Sequence, residues 1–136
     1  MMPKTERDVS PQGNYKVLII EDNAQNARLM TRVLERNETV NILHAWDGET
    51  GIEMAFAEHP DLILLDLGLP DVDGQTVAGM LKQPDALPDV PVVVVTAWPA
   101  ETAVGLVAAY GCEGYIPKPI DTREFSELVT RFLAAG

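Results

Sequence analysis

Residues 60–74 of the chain have the sequence PDLILLDLGLPDVDG. In this stretch four consecutive apolar residues, 62–65, lead directly into Asp66, and a segment rich in Gly, Pro and Asp follows. A short, uninterrupted apolar run is typical of a strand that is covered on both faces, as in a parallel sheet. The stretch therefore predicts a buried strand that ends in a carboxylate and is followed by a turn.

Similar runs predict four more strands. Residues 17–20 and 92–95 are also continuously apolar, whereas the more mixed residues 40–45 are expected to form an outer strand. Residues 115–117 are expected to form a short fifth strand. That strand should lie at an edge of the sheet, because Pro117 has no backbone N–H for a ladder hydrogen bond.

Helical periodicity fills the intervals between these runs. Helices are predicted over residues 24–36 and 100–110, around residues 52–56 and 77–81, and at the end of the chain. The last helix has the clearest apolar spacing, i, i+3, i+4, i+7 and i+8, formed by Phe125, Leu128, Val129, Phe132 and Leu133. Five strands that alternate with five helices indicate right-handed βαβ crossovers and a doubly wound α/β domain.

The composition indicates one globular domain. The chain has 136 residues, of which 46% are apolar and 23% charged, so it has room for a single hydrophobic core. Residues 1–14 are polar and contain Pro3, Pro11 and Gly13, which predicts a flexible leader ahead of a domain at residues 15–136. Because there is no long apolar run and only one cysteine, Cys112, we expect a cytoplasmic protein without a membrane span.

The charge distribution argues against two classes of partner. The chain carries 21 acidic and 10 basic residues, a net charge of −11. Between residues 37 and 117 the only base is Lys82. Such a field repels nucleic acid phosphates and anionic lipids, so neither is expected as a partner.

Chemically useful side chains follow four of the predicted strands. Glu21 and Asp22 come directly after the first strand, Asp66 ends the third, Thr96 ends the fourth and Lys118 follows the fifth. In an open α/β sheet, ligands bind beyond the carboxyl ends of the strands. We therefore expect these side chains to share one cleft.

Three carboxylates in one cleft repel one another unless a cation lies among them. Mg²⁺ suits such a site, since it takes carboxylate oxygens, keeps some waters and accepts phosphate oxygens. A carboxylate beside Mg²⁺ can attack an activated phosphorus, and the lysine and threonine can contact the transferred group. The residues by themselves therefore predict a Mg²⁺-dependent carboxylate that accepts a phosphoryl group.

The same residues resemble the signatures of response regulator receiver domains. Residues 60–74 are similar to the phosphoacceptor signature of that family. Its other signatures are matched in order and spacing by Glu21-Asp22, Thr96-Ala97 and Lys118-Pro119. The match extends over residues 16–133, and it implies a flavodoxin-like, CheY-like fold with five parallel strands in the order 2-1-3-4-5.

The resemblance also implies a phosphorylation site and a metal site. Asp66 would accept a phosphoryl group from a histidine kinase or a phosphotransfer protein. Asp22 would bind Mg²⁺ directly with Glu21 assisting, while Asp66 and the backbone carbonyl of Gly68 would supply two further ligands.

A conformational switch is a further implication of the resemblance. Thr96 and Lys118 would hold the phosphoryl oxygens, and Tyr115 would turn inward as Thr96 moves. The bond between Lys118 and Pro119 would be cis, which can aim the lysine into the cleft.

The implied function is that of a stand-alone response regulator of a two-component or phosphorelay system, because the chain ends at Gly136 directly after the fifth helix. Such a protein accepts a phosphoryl group and can dephosphorylate itself, but it is not a turnover enzyme. Its output would be contact with a downstream protein, or a homodimer through the fourth helix, fifth strand and fifth helix.

Gly68 and Trp98 stand at positions that vary in the family. They favour slow self-dephosphorylation, since glycine positions no water and the indole can shield the site.

Three other functions fit the sequence less well. A phosphohydrolase of the haloacid-dehalogenase type needs a second Asp two residues after the first, where this chain has Gly68. A flavodoxin-like cofactor binder needs a hydroxyl- and Gly-rich loop after the first strand, where Glu21 and Asp22 would repel phosphate. A receiver-like scaffold that is never phosphorylated is the remaining alternative, although the whole set of site residues is present.

Two surface features, an arginine stripe on the first helix and an apolar face on the fourth, each allow two interpretations. Arg28, Arg32 and Arg36 form a stripe that suits an acidic partner or is the solvated face of an ordinary helix. The fourth helix bears one charge, Glu101, and its apolar face suits a homodimer or a protein target, or results from loose Ala/Gly packing. Trp46 is expected to be a packing residue near the second strand.

Overall fold

Strands and helices alternate along the chain in the computed structural model, which describes residues 15–135. The strands are β1 (Tyr15–Ile20), β2 (Val40–Ala45), β3 (Leu62–Asp66), β4 (Val92–Thr96) and β5 (Gly114–Pro117). The helices are α1 (Ala24–Leu34), α2 (Gly48–Glu58), α3 (Gly74–Leu81), α4 (Ala100–Tyr110) and α5 (Thr122–Ala135). The predicted leader, residues 1–14, lies outside the described residues. Within residues 15–135, no helix combines the length and apolar character needed to span a membrane.

All five strands are parallel and form one sheet in the order β2-β1-β3-β4-β5. This confirms the doubly wound α/β fold and the expected strand order. The outer strands are β2 and β5, as the mixed composition of the first and Pro117 in the second predicted. The register pairs Ile20 with Leu65 and Asp66 with Val95. The carboxyl ends of β1, β3 and β4 therefore meet at one edge of the sheet.

The core consists of two apolar layers, one on each face of the sheet. On one face, alternate strand residues such as Leu18, Ile63 and Val94 pack with residues of α2, α3 and α4. On the other face, the intervening residues, such as Ile19 and Leu64, pack with α1 and α5. Because β1, β3 and β4 are covered on both faces, their sequences are continuously apolar and do not alternate.

Helix α1 begins next to the acidic pair that follows β1, and it is shorter than expected. The side chain of Asn23 accepts a hydrogen bond from the backbone N–H of Asn26 (2.9 Å), which satisfies a donor of the first turn. The helix ends at Leu34 and not at the predicted residue 36. The reason is that the N–H of Arg36 bonds to the carbonyl of Val33, three residues back (3.2 Å), so the last turn tightens.

The expectation that Trp46 is a packing residue is wrong. Its side chain is 53% exposed, and its ring lies against that of His44 with the ring centroids 4.1 Å apart. Trp46 directly follows β2, which is an outer strand, so no further strand lies beside it. The indole therefore remains largely on the surface.

Gly74, the first residue of α3, allows a close backbone approach to the end of β3. Its N–H bonds to the carbonyl oxygen of Leu67 (3.3 Å), and a Cβ at Gly74 would overlap the Cα of Leu67. We expect Gly74→Ala to lower the free energy of unfolding by about 1–3 kcal/mol, because the backbone after β3 must shift to admit the methyl group.

The matched control is Gly105→Ala in α4, where no neighbouring atom lies within 4 Å of the added methyl group. This variant should be neutral or slightly more stable, since alanine favours a helix interior over glycine. Urea unfolding of both variants makes the comparison, and equal unfolding midpoints would contradict the steric argument.

Candidate functional site

Three carboxyl groups meet at the carboxyl ends of β1 and β3, as the strand-end pattern predicts. Glu21 and Asp22 follow β1, and Asp66 ends the neighbouring β3. One ligand oxygen from each of the three residues lies within 4.8 Å of the others. Glu21 and Asp66 are buried and Asp22 is exposed, so the cluster opens to solvent on the Asp22 side.

Lys118 brings a positive charge to this cluster from the end of β5. Its Nζ lies 2.8 Å from Oδ1 of Asp66 and 3.7 Å from Oε1 of Glu21. The bond between Lys118 and Pro119 is cis, and the backbone N–H of Lys118 donates to the carbonyl oxygen of Thr96 (2.8 Å). The lysine is thereby held across the end of β4, facing the carboxylates.

The three carboxyl groups differ in acidity. Burial raises the pKa of Glu21 to about 7, and the neighbouring Asp66 adds to the shift. The pKa of Asp22 is also raised, by desolvation and by Asp66. Burial opposes ionisation of Asp66 too, but the hydrogen bonds from Lys118 and the backbone N–H of Gly68, together with the charge of Lys118, outweigh it and lower the pKa of Asp66. Asp66 is thus the most acidic member of the cluster.

The donor set fits a hard divalent cation. Oε2 of Glu21 accepts a hydrogen bond from the backbone N–H of Asn23 (3.1 Å), whereas the buried Oε1 has no hydrogen-bond partner among residues 15–135. A buried oxygen without a partner is unfavourable unless a ligand satisfies it. Carboxylate oxygens are the ligands that Mg²⁺ prefers, so Glu21, Asp22 and Asp66 suit this ion.

The remaining predicted residues lie along the same edge or on the adjoining face of the sheet. Thr96 is buried at the end of β4, and its Oγ1 accepts a hydrogen bond from the backbone N–H of Trp98 (2.9 Å). Trp98 is 36% exposed. Tyr115 is half-buried on β5 opposite Val94, and it packs on the face of the sheet that α2, α3 and α4 cover. Gly68 donates its N–H to Oδ1 of Asp66 (3.1 Å).

One residue of this region was not predicted from the sequence. The carboxylate of Asp71 accepts hydrogen bonds from the backbone N–H groups of Gly48 (2.9 Å) and Glu49 (3.0 Å), and these bonds lower its pKa. Asp71 therefore fastens the loop after Asp66 to the first turn of α2. No local pattern indicates this contact, because Gly48 and Glu49 lie more than twenty residues before Asp71 in the chain.

The chain is similar in sequence to proteins of a known family. The response regulator receiver domain family matches residues 17–130. The polar-differentiation response regulator DivK of Brucella ovis is 36% identical over 119 residues, which make up 86% of this chain and 94% of DivK.

Solved structures show the same architecture. A CheY-like receiver domain protein from Methanospirillum hungatei superposes with a TM-score of 0.80 at 22% identity, over 90% of this chain and 95% of that one. The phosphorylated cyanobacterial phytochrome response regulator RcpA superposes with a TM-score of 0.78 at 25% identity, over 90% of this chain and 96% of that one.

The raised pKa of Glu21 leads to a prediction about stability and pH without divalent cations. The folded protein holds this proton up to about pH 7, so the stability that Glu21 contributes is present below its ordinary pKa of 4.5 and is lost as the pH rises through about 7. Glu21→Gln removes the charge and keeps an acceptor for Asn23. We expect it to raise the thermal midpoint at pH 8 by roughly 2–8 °C and to have little effect near pH 4.5.

Thermal unfolding in a chelator, at both pH values, measures this difference. Glu127→Gln, at an exposed position of α5, is the matched control and should leave the midpoint unchanged. A Glu21→Gln midpoint equal to or below that of the unmodified protein at pH 8 would contradict the assignment of an unfavourable buried charge.

Proposed function

The chain belongs to the response regulator receiver domain family, and from this we propose that it is a stand-alone response regulator of a two-component or phosphorelay system. The proposed receiver domain comprises residues 15–136. Its donor is a histidine kinase or a phosphotransfer protein, with which it works in the cytoplasm. The stand-alone form is supported by the relative DivK, since the aligned residues make up 94% of its length.

One observation carries the proposal: an ionised, buried Asp66 lies against the ammonium of Lys118 and beside two further carboxyl groups. A carboxylate needs an unprotonated oxygen to act as a nucleophile, and the lowered pKa of Asp66 provides it. Glu21 and Asp22 contribute acidic oxygens whose charge calls for a cation. A purely structural strand end would require none of these features.

The proposed reaction transfers a phosphoryl group from a phosphohistidine of the donor protein. A carboxylate oxygen of Asp66 attacks phosphorus, the P–O bond forms as the P–N bond breaks, and the imidazole nitrogen keeps the electron pair and takes a proton from solvent. When bound, Mg²⁺ neutralises charge on the phosphoryl oxygens. The residues that would hold it are Asp22, Glu21, Asp66 and the carbonyl of Gly68.

The phosphorylated state would be recognised by Lys118 and Thr96. The ammonium, 2.8 Å from Asp66 before the reaction, is in position to contact a phosphoryl oxygen after it. The Thr96 hydroxyl would leave its bond with the N–H of Trp98 and donate to a second phosphoryl oxygen. Tyr115, on the next strand and the same face of the sheet, would then turn inward, which completes the switch.

The switch would change the surface formed by α4, β5 and α5. This surface already presents apolar side chains, since Val104 is 55% and Tyr110 is 39% exposed. An apolar patch of this kind suits a downstream protein or a second copy of the chain. The output of the protein would therefore be a change in protein contacts and not a chemical product.

Two rival functions have specific weaknesses in this geometry. A haloacid-dehalogenase-type phosphohydrolase needs an acidic side chain two residues after Asp66, where this chain has Gly68 and therefore no side chain to act as acid or base. A scaffold that is never phosphorylated would not require the lowered pKa of Asp66, nor a buried Glu21 oxygen without a hydrogen-bond partner among the described residues.

Incubation with Mg²⁺ and acetyl phosphate tests the proposal directly. The protein should gain about 80 Da, the mass of one phosphoryl unit, and Asp66→Asn should gain nothing. Asp73→Asn is the matched control, because it changes an exposed carboxylate of the same loop that makes no capping hydrogen bond and lies outside the cluster, and it should still be modified. A gain retained by Asp66→Asn would contradict the proposal. Failure of the unaltered protein under conditions that modify another receiver domain would favour the silent scaffold.

The lifetime of the phosphoryl group is a separate prediction. Gly68 offers no side chain to orient a water, and Trp98 lies at the rim of the site, so self-dephosphorylation should be slow. Gly68→Asn adds an amide near Asp66 and should shorten the half-life roughly tenfold, about 1.4 kcal/mol in barrier height. Loss of the mass increment with time measures the half-life. An unchanged or longer half-life would show that access of water is set elsewhere.

A further inference from the structure

A groove runs between α1 and the end of β2, at the edge of the sheet opposite β5. Its volume is about 400 Å³. Arg28 and Arg32 line one wall, and His44 and the exposed Trp46 line the other. The α4–β5–α5 surface lies at the opposite edge of the sheet, so an occupant of the groove would leave that surface free.

The arginines of this groove are unneutralised. Arg28, Arg32 and Arg36 are exposed on successive turns at the end of α1 and just beyond it, and none forms an ion pair within the part of the chain that the structure describes. Glu35 lines the same groove but pairs with neither arginine. In a chain of net charge −11, the two unpaired arginines of the groove and Arg36 just beyond the helix form a local positive patch.

The composition of the groove is that of a protein contact. Tryptophan and arginine are the residues most enriched among those that dominate binding energy at protein interfaces. Trp46 offers a large apolar surface, held by its ring contact with His44. Each guanidinium can bind a carboxylate through two parallel hydrogen bonds. The alternative interpretation, that the arginines lie on an ordinary solvated helix face, does not explain an exposed tryptophan beside them.

We propose that this groove binds an acidic segment of a partner protein, with an apolar side chain of the segment against Trp46 and its carboxylates on Arg28 and Arg32. The groove has the volume for one or two side chains. A nucleic acid or an anionic membrane would present a far larger negative surface to the acidic remainder of the protein. A short acidic segment would interact mainly with the nearby arginines, since salt screens charges that lie more than about 10 Å away.

A displayed library of random 16-residue peptides, panned against the immobilised protein, tests this proposal. The enriched peptides should be acidic and contain a central apolar residue. Their affinity should fall at least tenfold for the double variant Arg28→Glu/Arg32→Glu and also for Trp46→Ala. The matched control is Arg123→Glu/Arg131→Glu on α5, which has the same net charge and should bind the peptides as the unaltered protein does. Far-ultraviolet circular dichroism and urea unfolding establish that all variants are folded.

Several outcomes would overturn the proposal. The proposal would be overturned if no peptides were enriched or if the enriched peptides were basic. It would also be overturned if both double variants lost binding equally, because such a result would reflect net charge and not the groove. Self-association of the unaltered protein in sedimentation, abolished only by the groove variants, would assign the surface to a second copy of the chain. Binding to anionic vesicles that requires Trp46 would assign it to a membrane.

Discussion

The ion pair between Lys118 and Asp66 is the interaction on which the rest of the site depends. Asp66 and Glu21 are both buried, and two buried carboxylates side by side are strongly unfavourable without a cation. Lys118 supplies that cation from beyond the next strand, 2.8 Å from Asp66 and 3.7 Å from Glu21. Burial and the neighbouring Asp66 raise the pKa of Glu21 to about 7. One ammonium offsets only one carboxylate, so the cluster still favours a divalent ion.

The ion pair in turn depends on the order of the strands. Lys118 follows β5 and Asp66 ends β3, and the sheet order, with β4 between these strands, brings both residues to one edge at hydrogen-bonding distance. The continuously apolar strands β1, β3 and β4 give this edge a rigid base, since both of their faces are packed. The chemical groups lie at the ends of these strands and in the loops that follow, where Asp71 and the N–H of Gly68 restrict movement near Asp66.

Much of this arrangement was predictable from residue patterns, and most of what was missed depends on contacts between residues distant in the chain. The apolar runs predicted all five strands, and their polar ends predicted the cleft, because both signals are local. The strand order came from the resemblance to a family and not from periodicity. The early end of α1, the exposure of Trp46 and the contact of Asp71 with α2 were not anticipated. The exposure of Trp46 and the contact of Asp71 depend on which elements become neighbours in space, which a local pattern does not contain. The early end of α1 results from a hydrogen bond within its last turn, which apolar periodicity does not reveal.

The identity of the phosphorylated residue is the most direct test of the proposed function. Borohydride reduces an aspartyl phosphate to homoserine, so reduction after treatment with Mg²⁺ and acetyl phosphate, followed by peptide sequencing in a mass spectrometer, locates the modified residue. We predict homoserine at position 66 alone, and only when Mg²⁺ was present. Homoserine at position 22 or at another acidic residue, or equal yield in a chelator, would contradict the assignment of Asp66 as a metal-assisted phosphoryl acceptor.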